Sequence, residues 1–161
     1  MDAFEGRITL SVLDRLTDHA PGSPQDPPFS RLQAMRALKA ALWRDLTFLL
    51  NTRRREEEVP EEFNEANQSL LTFGLPDFSR YSLKNPSDVS RLRRAIEGAI
   101  RRFEPRLEKV TVAFDQPEET APALHFRVDA LLRVDPAPEP VSFETLLQPD
   151  SGHIVVVGED R

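Results

Sequence analysis

The chain is 161 residues long, 39% hydrophobic and 30% charged, with a formal net charge of −6 and a pI near 5.2. That is the size and apolar content of one ordinary domain, and the acidic balance argues against bulk nucleic-acid binding, which needs a basic surface. Cysteine is absent, which excludes disulfides, thiolate metal sites and cysteine nucleophiles and suits a reducing cytosol.

The N-terminus, MDAFEGRITLSVLDRL, is too acidic and interrupted for a secretory leader, and no apolar run reaches the roughly 18 residues of a membrane span. Leu10 to Asp18 reads as a short helix with Val12, Leu13 and Leu16 on one side. PGSPQDPP, from Pro21 to Pro28, follows as a stiff linker. Residues 1–28 are therefore expected to form an arm, lying on the domain or on another subunit, and residues 29–161 the domain proper.

A strong helix is predicted from Ser30 to about Asn51. Ser30 and Gln33 have capping-box spacing, and Leu32, Met35, Leu38, Leu42, Leu46 and Leu49 form one stripe with Trp43 at its edge. Phe63 to Thr72 is a shorter helix candidate. It runs into FGLPDFS, where Gly74 can take the left-handed conformation, Pro76 extends Leu75, and Asp77 can bond nearby backbone N–H groups. The third strong helix opens at NPSD with Asn85 as cap and Pro86 in the first position, and Pro105 stops it. Val89, Leu92, Ile96, Ile100 and Phe103 make its stripe, and Arg91, Arg93, Arg94, Arg101 and Arg102 fill the other faces. That run is either a solvated face or a basic patch for an acidic partner.

The apolar period then switches to two. Leu107 to Phe114 and Leu124 to Val134 are predicted to form an antiparallel hairpin, Val141 to Leu147 a third strand or a short helix, and Ile154 to Val157 a terminal strand. Helices first and a small, mostly antiparallel sheet last give an α+β fold. A small sheet must cover or blunt its edges, or it can accept a strand from another chain.

Chemistry finds little support. Glu104 is a candidate acid for glycan hydrolysis, with Asp77 or Glu108 as partner, but Arg106 two residues on would favour the ionised carboxylate, the reverse of a general acid's requirement. His19, His125 and His153 are too far apart to form a spaced ligand cluster, and no nucleophile elbow or phosphate loop is present. The run from Arg53 to Glu58 reads mainly as a solvated helix end, with Arg53 the residue expected to make a specific contact.

Four blocks in order, VLDRLTD (Val12–Asp18), DLTFLLNTR (Asp45–Arg53), FGLPDFS (Phe73–Ser79) and FEPRLEKVTV (Phe103–Val112), resemble the type VI secretion baseplate subunit family TssE. This belongs to a wider family, often labelled lysozyme-like, that includes the small wedge protein of contractile-phage baseplates. The resemblance implies a non-enzymatic, cofactor-free, cytoplasmic protein in a baseplate docked at the inner face of the membrane, with no membrane insertion. It implies partnership with TssF, TssG and TssK, and strands that interlock with the TssB/TssC sheath so that sheath assembly starts there. The family's Glu-Pro-Arg motif falls on Glu104, Pro105 and Arg106 and its Leu-Leu-Asn-Thr-Arg block on Leu49 to Arg53; Phe73 departs from the family's frequent tyrosine. The implied partner-binding residues are Glu104, Pro105, Arg106, Asn51, Thr52, Arg53, Gly74 and Asp77. Glu104 and Arg106 either dock a neighbouring subunit or pair internally, with Arg53 or a helix arginine as further candidates. The alternatives are a peptidoglycan hydrolase and a soluble, anti-adaptor-like regulatory binder.

Overall fold

The computed structural model describes residues 8, 10–17, 30–55, 59–60, 62–78, 81–82, 85–115, 124–148 and 152–158. The linker Pro21–Pro28, Glu56–Glu58 and residues 116–123 of the predicted hairpin loop lie outside them. The elements are α1 (Val12–Leu16), α2 (Arg31–Asn51), α3 (Asn64–Asn67), a 3-10 turn (Leu70–Thr72), α4 (Pro86–Phe103), β1 (Leu107–Phe114), β2 (Leu124–Leu132), β3 (Glu139–Gln148) and β4 (His153–Gly158).

The strands form one antiparallel meander in the order β1-β2-β3-β4. On β3, Val141, Phe143, Thr145 and Leu147 alternate inward, which settles the strand-or-helix ambiguity of that segment. In β1 the register shifts between Glu108 and Thr111, and Lys109 sits at a φ of 52°. The extra residue lets Leu107 and Val110, three apart, both turn inward.

The helices cover the inner face of the sheet, α4 beside β1 and α2 beside β4. Leu42, Leu46, Leu92, Ile96 and Ile100 meet Val110, Phe126, Val128, Leu132 and Ile154 there, all almost fully buried. Each such side chain contributes about 1.5–3 kcal/mol relative to exposure. Both long helices start as predicted. Ser30 Oγ accepts from Gln33 N while Gln33 Oε1 accepts from Ser30 N, and Asn85 accepts from Ser87 N ahead of Pro86.

No residue of α1 is buried, so its apolar side faces away from the chain's own core. Two expectations are corrected. Leu32 is 75% exposed, so the α2 stripe begins at Met35, because spacing fixes a face and not where the covering layer begins. The helix expected over Phe63–Thr72 splits at Ser69, whose extended backbone and hydroxyl bonds to Ala66 O and Leu71 N interrupt it.

Candidate functional site

Glu104 ends α4. Its N–H still bonds Ile100 O, and its carbonyl accepts from Leu107 N at 3.1 Å across Pro105, which tightens the corner into β1. The Glu104 side chain is only 5% exposed, and both oxygens are taken by Arg106: Nε to Oε1 at 2.6 Å and Nη2 to Oε2 at 2.5 Å. Arg106 Nη2 also reaches Asp45 Oδ2 of α2 at 2.6 Å. Asp45 Oδ1 accepts from Arg44, whose Nη1 bonds Asp14 Oδ1 of α1 at 2.7 Å. The corner thus closes internally, and Glu104's partner is Arg106 rather than Arg53. Hydrogen bonding to Glu104, with a further bond to Asp45, holds the Arg106 guanidinium protonated well beyond its ordinary range despite partial burial. Three carboxylates against two guanidiniums leave the network one net negative charge, and it becomes more exposed from Glu104 toward Arg44.

The second cluster zips the end of α2 to the FGLPDFS turn. Leu75 N donates to Thr52 O and Arg54 N to Leu75 O, both at 2.8 Å, forming a parallel bridge between Arg53 and Leu75. Gly74 has a φ of 97°, and a Cβ there would stand 2.2 Å from Thr52 O, so both conformation and space require glycine. Arg53 sends its guanidinium to the β3–β4 turn, beside Gly152. Asp77 lies three residues beyond Gly74 on the same segment.

Asn51 does something different from its neighbours. Its amide accepts from Ile154 N at 2.9 Å and donates to Ile154 O at 2.7 Å, pairing with β4 as a neighbouring strand would. About two turns earlier on α2, Trp43 Nε1 donates to Val156 O at 2.6 Å. On the other edge, Glu97 accepts from Val112 N at 3.1 Å and Arg101 donates to Val110 O at 2.7 Å. Helix side chains therefore occupy outward backbone groups of both edge strands, the blunting that an exposed sheet edge calls for.

The structure thus gathers Glu104, Pro105 and Arg106 at one end, and Asn51, Thr52, Arg53 and Gly74 at another. They are joined along α2, where Asp45 and Asn51 are separated by about 9 Å of helix rise. Sequence reasoning missed Asp14, Arg44, Asp45 and Glu97, and it placed Trp43 at the stripe edge and Arg101 on a basic face without their strand contacts. Asp45 stood inside the quoted DLTFLLNTR block, but no local spacing links it to Arg106, 61 residues away. Among the described residues, no group of three or more His, Asp or Glu side chains could hold a metal, and no helix is long and apolar enough to cross a membrane.

No curated protein matches the sequence. A chain of a solved structure, "The baseplate complex from the type VI secretion system", aligns with 18% identity and a TM-score of 0.46, covering 70% of this chain and 96% of that chain. The family described as baseplate wedge protein gp25 matches residues 36–137, a span that runs from the first turns of α2 past the end of β2 and contains the Glu104–Arg106–Asp45 bridge and the Thr52–Leu75 contact. With well over half of its length inside that match, the chain belongs to the baseplate wedge protein gp25 family.

Proposed function

We propose that this chain is a structural, non-enzymatic wedge subunit of a type VI secretion baseplate. In this reading it joins TssF, TssG and TssK in the cytoplasm and starts assembly of the TssB/TssC sheath by strand interlocking. Residues 1–28 act as an arm and residues 29–161 as the wedge domain. The observation that carries the reading is the Arg106 bridge, within the family span, from buried Glu104 to part-exposed Asp45. It presents a rigid corner with one net negative charge, suited to a cationic group on a neighbouring subunit. A hydrolase would need a carboxylate free to carry a proton, whereas both Glu104 oxygens accept from Arg106. Strand interlocking on this sheet means displacing the side chains that now occupy its edges, Asn51 and Trp43 on β4 or Glu97 and Arg101 on β1.

The test is co-purification with the TssF–TssG wedge core. Arg106→Ala alone would strand the buried Glu104 carboxylate and cost about 3–5 kcal/mol, mixing folding with docking. The paired variant Glu104→Gln/Arg106→Met removes both charges at similar volume and is expected to stay folded by circular dichroism. A folded variant that loses the wedge core supports docking through the corner. Normal binding would make the corner internal architecture only. A wild-type chain that ignores the wedge core would overturn the baseplate reading.

A further inference from the structure

A groove runs between α3 and α4. It is lined by Asn64, Asn67 and Gln68 on one side and by Gly98, Arg101 and Arg102 on the other. Gly98 lies inside an 18-residue helix, is exposed, and a Cβ added there would meet nothing within 4 Å. Glycine at such a position costs about 1 kcal/mol against alanine, and nothing within the described chain repays that cost by close packing. Bare helix backbone at the floor of a groove is what a second backbone needs for close approach.

The charged residues that line the groove are arginines. Arg94 and Arg91 stand one and two turns before Gly98 on the same face, and Arg101 and Arg102 one turn after it. Among the described residues, Arg91 and Arg94 form no ion pair and Arg102 makes only a 3.4 Å contact with Thr72 Oγ1, whereas Arg101 is held by Glu97 at 3.5 Å and by Val110 O at 2.7 Å; the groove lining contains no carboxylate. Directly after the α3 wall, Leu70 and Leu71 of the 3-10 turn are 84% and 55% exposed. Guanidiniums, open backbone and apolar side chains in sequence match an amphipathic helix lying in a groove. The exposed leucines and the chain's −6 net charge favour a protein occupant over nucleic acid.

We infer that the α3–α4 groove docks an acidic amphipathic helix of a partner protein. Its glutamates or aspartates pair with Arg94 and Arg102, its backbone crosses Gly98, and its apolar side chains rest on Leu70 and Leu71. The groove lining shares no residue with the corner.

The test uses the full chain and a synthetic amphipathic helix of about 18 residues, long enough to sustain helical structure, with leucine on one face and glutamate on the other. Binding is read by fluorescence anisotropy at low salt, beside polyglutamate and a short DNA duplex. Gly98→Leu fills the floor without touching a charge. Because leucine is the better helix former, its melting temperature should equal or exceed that of wild type. We expect saturable peptide binding, weakened about tenfold or more by Gly98→Leu and by Arg94→Glu. The inference is overturned if the peptide does not bind, if Gly98→Leu binds as well as wild type, or if polyglutamate or DNA binds as tightly as the amphipathic helix.

Discussion

Gly74 is the position where one added carbon does most damage. Its φ of 97° disfavours any side chain, and Thr52 O occupies the place a Cβ would take. Gly74→Ala must therefore break the Thr52–Leu75 hydrogen bond or shift the end of α2, and Leu75 is 1% exposed. A loss of about 3 kcal/mol or more is expected in urea unfolding; an unchanged midpoint would mean that the bridge contributes nothing to stability. The glycine, and its left-handed conformation, were legible from the FGLPDFS turn. What it presses against was not, because Thr52 is 22 residues earlier in the chain.

At the scale of elements, the edge strands are the informative pieces. The periodic stripes gave α2, α4 and the strand faces, since 3.6- and 2-residue periods are local properties. Edge protection left no such trace. Asn51 sits in a block whose spacing suggested only a helix end, yet its amide completes β4 from 103 residues away. Asn51→Ala leaves Ile154 N and O without those partners, a cost of about 1–3 kcal/mol, and opens a strand edge to other chains. Sedimentation should then show concentration-dependent self-association that wild type lacks. A variant that stays monomeric at every concentration would mean that Trp43 and the rest of α2 suffice to close the edge. The same locality explains α3: a polar stretch can be recognised as helical from its spacing, while the hydroxyl of Ser69 decides where it stops.

For the molecule as a whole, α2 is the common support. It packs in the core, ties α1 through Arg44–Asp14, holds the corner through Asp45–Arg106 and closes β4 through Trp43 and Asn51. The motif residues of the corner could be read from the sequence, but not their enclosure, because the network draws on α1, α2 and α4 together. The Asp14 carboxyl is held below its ordinary 3.8 by hydrogen bonds from Arg44 and then Ser11. A depressed acid stabilises the folded form above the unfolded value and loses that contribution as pH falls through the folded one. Acidification below about 3.8 should therefore release α1 before the core unfolds. Amide exchange of Val12–Leu16, followed against that of Ile96 and Ile100, would show it; simultaneous loss of both sets of amides would refute the tether. One further consequence belongs to Trp43, the chain's sole tryptophan. Its indole N–H bonds the outer edge of β4, one of the two edges of the sheet. The protein thus carries an intrinsic fluorophore at that edge, and its emission reports, without any label, whether the edge is shut or occupied.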